Sequence, residues 1–343
     1  MSGHTKWSDV KAARGYVSKP RIQTKKTTYT MDYPEAVKFA ETQMEVYWLP
    51  TEINLEKDVQ DVRVNLTDAE RHGVVTTLKL FTLYELLVGN EYWGGRVKRA
   101  FPRPDIEFMA TTFGFVEIGI HARFYNRLNE VMMLDTDEFY ESYVDDPDLK
   151  ARMDFVTEVL TDDNLPVALG AFSMLEGAVL YSSFAFLKHF QSQGKNKLKN
   201  VCSGINFSVR DENLHALAGS WLYNTLMSEM EALGQLPAEK LHEITVSLEG
   251  VAQLVYEHEE RIIDMIFENG PIEGLEPEDM KTFVKSRINL CMRNLNLEEP
   301  FEVTSNPVAD WFYKGINSYQ FHDMFAGVGS EYNRNVSADG FEW

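Results

Sequence analysis

Cysteine is almost absent from this chain: two residues in 343, Cys202 and Cys291, far apart and outside any Cys-x-x-Cys pattern. That excludes a disulfide framework and a thiolate zinc site, and it suits a reducing cytoplasm. A glycine-rich phosphate loop is also missing, so no segment is built to cradle a nucleotide's phosphates. Hairpin dipeptides between alternating apolar stretches are lacking, which argues against a β-rich fold. The first residues hold no apolar core of the signal-peptide kind. Long apolar runs are scarce, and the one candidate, Leu165 to Leu187, carries Glu176 at its middle. A charge there costs about 2.5–3.5 kcal/mol on insertion scales, so the segment reads as the buried central helix of a soluble bundle, not a membrane span. Positive charge is in short supply too: 33 Lys and Arg stand against 53 Asp and Glu, a formal net charge of −20. A field of that sign repels phosphate backbones and excludes nucleic acid as the main partner. The exception is the start of the chain, where Lys6, Lys11, Arg14, Lys19, Arg21, Lys25 and Lys26 face Asp9 alone. Residues 1–30 read as a flexible basic arm.

What is abundant is helical periodicity. Hydrophobic residues make up 44% of the chain, enough for one large core. Thr67 and Glu70 form a capping-box pattern ahead of a periodic run over about 68–99. Within it Leu78, Phe81, Glu85, Val88 and Tyr92 recur at helical spacing, which sets Glu85 on an otherwise apolar face. Further helices are expected near 35–46, 104–132, 149–160, 165–192, 197–230, 238–268 and 277–296. The body, 31–304, reads as one all-α domain without short-period repeats. From 305 to 343 the sequence turns to aromatics, Asn, Ser and Gly, a tail with little regular structure.

Carboxylates and histidines supply the chemistry. In Arg210-Asp211-Glu212-Asn213-Leu214-His215, Glu212 and His215 stand three apart and project from one helix face. Alone that pair is common on exposed helices. Glu117 and His121, four apart, lie in Phe115-Val116-Glu117-Ile118-Gly119-Ile120-His121, too apolar for a solvated face. Glu85 and Glu176 are single carboxylates inside apolar helices. Burying one unpaired carboxylate costs several kcal/mol, so four scattered ones in a core would be ruinous. A shared pair of divalent cations explains all six residues at once, and oxygen and nitrogen donors suit iron or manganese. The order along the chain repeats: a lone Glu, then a Glu/His pair, twice. That is the ligand design of ferritin-like two-metal bundles, one Glu from each of two helices and a Glu/His pair from each of two others.

At these residues the chain resembles the small, radical-generating subunit of class I ribonucleotide reductase, from about residue 40 to the C-terminus. Leu78-Lys79-Leu80-Phe81-Thr82-Leu83-Tyr84-Glu85 resembles the segment with that family's first metal carboxylate. His121-Ala122-Arg123-Phe124-Tyr125 is similar to its His-x-x-x-Tyr. Leu175-Glu176 and the 210–215 run match its second half-site, and Val46-Tyr47-Trp48-Leu49-Pro50 its Trp-x-Pro segment. The resemblance implies a ferritin-like helical bundle binding two metal ions, iron, manganese or a mixed pair, through Glu85, Glu117, His121, Glu176, Glu212 and His215. It implies a stored radical on Tyr125 and a hydrogen-bonded wire through Trp48, Asp211 and His121. The tail would bind a large subunit and offer Tyr332 as a further redox tyrosine, with Tyr313 and Tyr319 competing. A homodimer is implied, and a flavoprotein that delivers the oxidant is a further partner left open. The family spaces its first Glu/His pair by three; the spacing of four here is compatible with a one-residue π-bulge. Two isolated cysteines do not make the thiyl and thiol-pair set that nucleotide reduction requires, so the substrate site belongs on another chain. Two rivals remain at this level: a stand-alone two-metal oxidase or oxygenase of the same fold, and an iron-storage or structural bundle.

Overall fold

The structure, a computed structural model, describes residues 18–315. Among them the chain is helical throughout, with one isolated bridge between Ile272 and Leu275 and no strand. Helix α1 spans Pro34–Glu45. Helix α2, Asp68–Leu87, opens on the expected capping box: Glu70 N donates to Thr67 Oγ1 at 3.2 Å and Thr67 N to Glu70 Oε2 at 2.8 Å. It runs without a break into a π-helical stretch, Val88–Val97. Helix α3, Pro104–Val116, passes through one π turn, Glu117–His121, into α4, Ala122–Met132. The unusual Glu117/His121 spacing is therefore a π insertion that keeps both side chains on one face.

Two short helices follow, α5 (Asp137–Asp145) and α6 (Pro147–Thr161). The periodicity expected a helix only from 149; α5, started by Thr136 Oγ1 accepting from Phe139 N, is short and acidic and escaped it. Next come α7 (Leu165–Ala178) and α8 (Tyr181–His189), where one helix over 165–192 was expected. The break at Val179–Leu180, with Leu180 left-handed at φ 73°, is held from far away. Arg287 Nε donates to Gly177 O at 2.9 Å at the end of α7, and Glu259 Oε2 accepts from Ser182 N at 3.3 Å at the start of α8. Neither partner is visible in the local sequence.

The long helix α9 (Lys199–Ala232) is capped by Asp58, whose Oδ2 accepts from Val201 N at 2.7 Å. Helices α10 (Ala238–Ile266) and α11 (Pro277–Asn294) complete the body. Helix α7 lies at its centre, packed against α9, α10 and α11, and all residues from Pro166 to Ala178 are buried. The apolar stretch Leu165–His189, long enough by composition to cross a membrane, is 94% buried in its most apolar window. At the tail's beginning a short helix, α12 (Pro307–Phe312), and a following turn pack on this core through Val308 and Phe312. Of the basic arm, residues from 18 on are described: Ile22 is fully buried and its N–H donates to Glu229 Oε2 at 2.7 Å.

Candidate metal centre

Four neighbouring helices carry the six expected side chains inward. Glu85 comes from the last turn of α2, Glu117 and His121 from the π turn, Glu176 from α7, and Glu212 and His215 from α9; all are buried. Their donor atoms form two overlapping groups. One is Glu85, Glu117, His121 and Glu212, the other Glu117, Glu176, Glu212 and His215, with the donors of each group within 4.8 Å of one another. Glu117 and Glu212 belong to both, the position of bridging ligands. His121 Nδ1 lies 3.0 Å from Glu117 Oε2 and 3.0 Å from Glu212 Oε1. His215 Nδ1 lies 2.5 Å from Glu117 Oε1.

The electrostatics are those of acids without enough positive charge among them. Burial, then the charges of Glu117 and Glu212, push the Glu85 carboxyl well above the usual range. Burial, then Glu212 and Glu117, do the same to Glu176. Burial works against the Glu117 carboxylate as well, but His215 and His121 outweigh it and hold that group low. Burial alone would depress His121; Glu117 and Asp211 reverse the sign and raise it. Both oxygens of Glu85 and Oε2 of Glu176 have no hydrogen-bond partner, and Glu117 Oε1 and Glu212 Oε1 have beside them only the inward Nδ1 atoms of His215 and His121. Four buried carboxylates and two imidazoles turned toward one another, with too few protein donors to satisfy the acids, fit two divalent cations.

The outer atoms of the imidazoles are also fixed. His121 Nε2 donates to Asp211 Oδ2 at 3.2 Å, and the same oxygen accepts from Trp48 Nε1 at 2.8 Å. Arg210 Nε approaches Asp211 Oδ1 at 3.3 Å and, with His121 and Trp48, holds the carboxyl low against its burial. Trp48, Asp211 and His121 thus form one continuous hydrogen-bonded line. On the other side His215 Nε2 donates to Gln43 Oε1 at 3.1 Å. Trp93 Nε1 donates to Glu176 Oε1 at 2.8 Å.

Tyr125 sits one turn beyond His121, fully buried, its ring stacked on Phe81 at 4.2 Å. Its hydroxyl has no hydrogen-bond partner, and burial followed by the Glu85 charge raises its proton affinity. Three residues beside the cluster were missed by sequence reasoning. Gln43 was legible: with Ala36, Phe39 and Ala40 it occupies the buried face of α1, the same signal that marked Glu85. Tyr84, whose unpaired phenol lies in the field of Glu176, Glu212 and Glu85, and Trp93 gave no such signal among their many apolar neighbours. Tyr332 and Tyr319 lie outside the described residues. Tyr313 is half-buried, and its hydroxyl accepts from Arg287 Nη1 at 3.4 Å.

A helical bundle with a buried pair of carboxylate–histidine half-sites defines a two-metal carboxylate protein. The family model "Ribonucleotide reductase, small chain" matches residues 25–307, and the chain belongs to that family. A probable ribonucleoside-diphosphate reductase small subunit of Invertebrate iridescent virus 3 is 23% identical, over 94% of this chain and 88% of the relative. The ribonucleoside-diphosphate reductase subunit beta of Halalkalibacterium halodurans is 25% identical, over 86% of this chain and 85% of the relative. In fold the chain is similar to the dimanganese(II)-NrdF of Streptococcus sanguinis, with a TM-score of 0.72 and 21% identity over 85% of this chain and 99% of that one. It is likewise similar to the ribonucleotide reductase R2 subunit of Clostridium botulinum, with a TM-score of 0.71 and 22% identity over 82% of this chain and 89% of that one. Membership of this family decides against the stand-alone oxidase and the storage bundle.

Proposed function

We propose that this chain is the radical-generating small subunit of a ribonucleoside-diphosphate reductase, holding two iron or manganese ions through Glu85, Glu117, His121, Glu176, Glu212 and His215. When bound, the two ions would supply redox chemistry with an oxygen species and leave an oxidising equivalent for a nearby phenol. Tyr125 is that phenol, because it is the tyrosine one turn from His121 with a sealed, apolar surround. Its burial behind Phe81 keeps water and reductants from the oxidised ring, and Glu85, the charge that acts most strongly on the phenol, is the carboxylate that takes the proton when the electron leaves. Asp211 accepts from both Trp48 and His121, which fixes the tautomer of His121 with Nδ1 facing the ions. The same line carries the oxidising equivalent outward through Trp48.

Tyr332 takes it over in the tail, residues 305–343, which binds the large subunit whose cysteine attacks the ribonucleotide. The two cysteines of this chain are both buried and unpaired, which supports leaving that chemistry to the partner and a cytoplasmic location. The working form is a homodimer joined to the large subunit, with a flavoprotein as the candidate source of oxidant.

The observation that carries this reading is the unbroken Trp48–Asp211–His121 line beside a sealed Tyr125. The test is electron paramagnetic resonance after anaerobic metal loading and addition of oxidant. A tyrosyl signal in the wild type that is absent in Tyr125→Phe is expected; an unchanged signal in the variant moves the radical to another residue.

A further inference from the structure

The two halves of the cluster are not built alike. Behind His121 stands a carboxylate, Asp211, at 3.2 Å from Nε2; behind His215 stands a neutral amide, Gln43, at 3.1 Å. A carboxylate draws the outer N–H toward itself and makes the inner Nδ1 lone pair a stronger donor than an amide does. The lone carboxylates differ in the same direction. No hydrogen bond from outside the cluster reaches either oxygen of Glu85. Glu176 gives part of its charge to the indole N–H of Trp93 at 2.8 Å. The shared ligands Glu117 and Glu212 serve both halves and cancel from the comparison.

Resting on the reading that this cluster binds two cations, we propose that Gln43 and Trp93 make the Glu176/His215 position the weaker of the two. The Glu85/His121 position then fills first. Gln43 is a positioning residue acting through His215, and Trp93 one acting through Glu176. Gln43 is suited to the task, being buried on α1 with its carbonyl turned to the imidazole. An unequal pair of positions would let one chain hold its first ion firmly while the second exchanges, and would bias a mixed supply of metals toward an ordered occupation.

The test is calorimetric titration of the metal-free, full-length protein with manganese(II), followed by variants whose effects have opposite signs. The wild type should take two ions per chain in two separable steps. Gln43→Leu, which strands the His215 N–H, should weaken the second step by roughly 10- to 100-fold. Gln43→Glu, which offers a carboxylate like Asp211, should tighten that same step and narrow the gap. Trp93→Phe should also tighten it, and Asp211→Asn should instead weaken the first step. A role in packing alone would weaken binding in both Gln43 variants. That result, or an effect of Gln43 on the stronger step, overturns the inference while leaving the two-cation reading intact. A wild type that binds no pair of ions sinks that reading, and this inference with it.

Discussion

Phe81 is the side chain whose loss should reveal most about how Tyr125 is protected. It is fully buried, stacks on Tyr125 at 4.2 Å and on Phe184 at 5.5 Å, and closes the space between α2, α4 and α8. An aromatic side chain buries about 150–250 Å², worth ~4–6 kcal/mol at ~25 cal/mol per Å². Alanine keeps a fraction of that area but leaves a cavity, so Phe81→Ala should cost about 3–5 kcal/mol. For a chain of this size that corresponds to a drop in Tm of roughly 4–7 °C. Phe81→Leu, which keeps most of the apolar volume, should lose far less. The stability loss is read by denaturant melts of the metal-free protein, where no ion contributes. The functional loss is read by the decay of the tyrosyl signal after oxidation, which should quicken about tenfold or more, a barrier lowered by ~1.4 kcal/mol or more. An unfolding midpoint equal to wild type would refute the packing argument. A folded variant with an unchanged radical lifetime would refute the role of this ring in keeping Tyr125 dry.

Glu212→Ala removes a carboxylate common to both half-sites, so bound metal should fall clearly below two ions per chain by elemental analysis; full stoichiometry would count against its assignment. His189 is buried and its imidazole is pushed down to about 4, burial being the main cause. The folded protein therefore keeps His189 neutral where the unfolded chain, with a pKa near 6.5, takes up a proton. Its contribution is intact above about pH 6.5 and is lost as pH falls toward 4, by up to ~3 kcal/mol. His189→Leu should flatten that part of the pH dependence of urea melts, and parallel curves for the two proteins would reject the assignment. Deleting residues 330–343 should abolish turnover with the large subunit and leave metal uptake unchanged. Tyr332→Phe should keep the stored radical yet block turnover, and wild-type turnover would transfer the relay to Tyr319 or Tyr313.

Much of the site was legible because charged groups on apolar helix faces are costly and so need a reason. Glu85 and Glu176 stood out on that ground alone, and the Glu/His pairs by sharing a face. The spacing of Glu117 and His121 even carried the mark of the π turn. What stayed hidden depends on partners distant in the chain. The break between α7 and α8 has no glycine or proline at Val179 or Leu180, and is held by Glu259 and Arg287 from two other helices. Trp93 meets Glu176 only because the π-helical stretch after α2 turns it toward α7. Helix α12, at the beginning of the tail, forms by burying Val308 and Phe312 on the body, a contact that composition does not announce.

The central claim is that two cations hold these six side chains together, and anomalous diffraction from crystals grown with manganese(II) tests it most directly. The account predicts two peaks, one beside Glu85 and His121, the other beside Glu176 and His215, with Glu117 and Glu212 reaching both. No peak in the bundle, or a single one that leaves either imidazole without an ion, would contradict it.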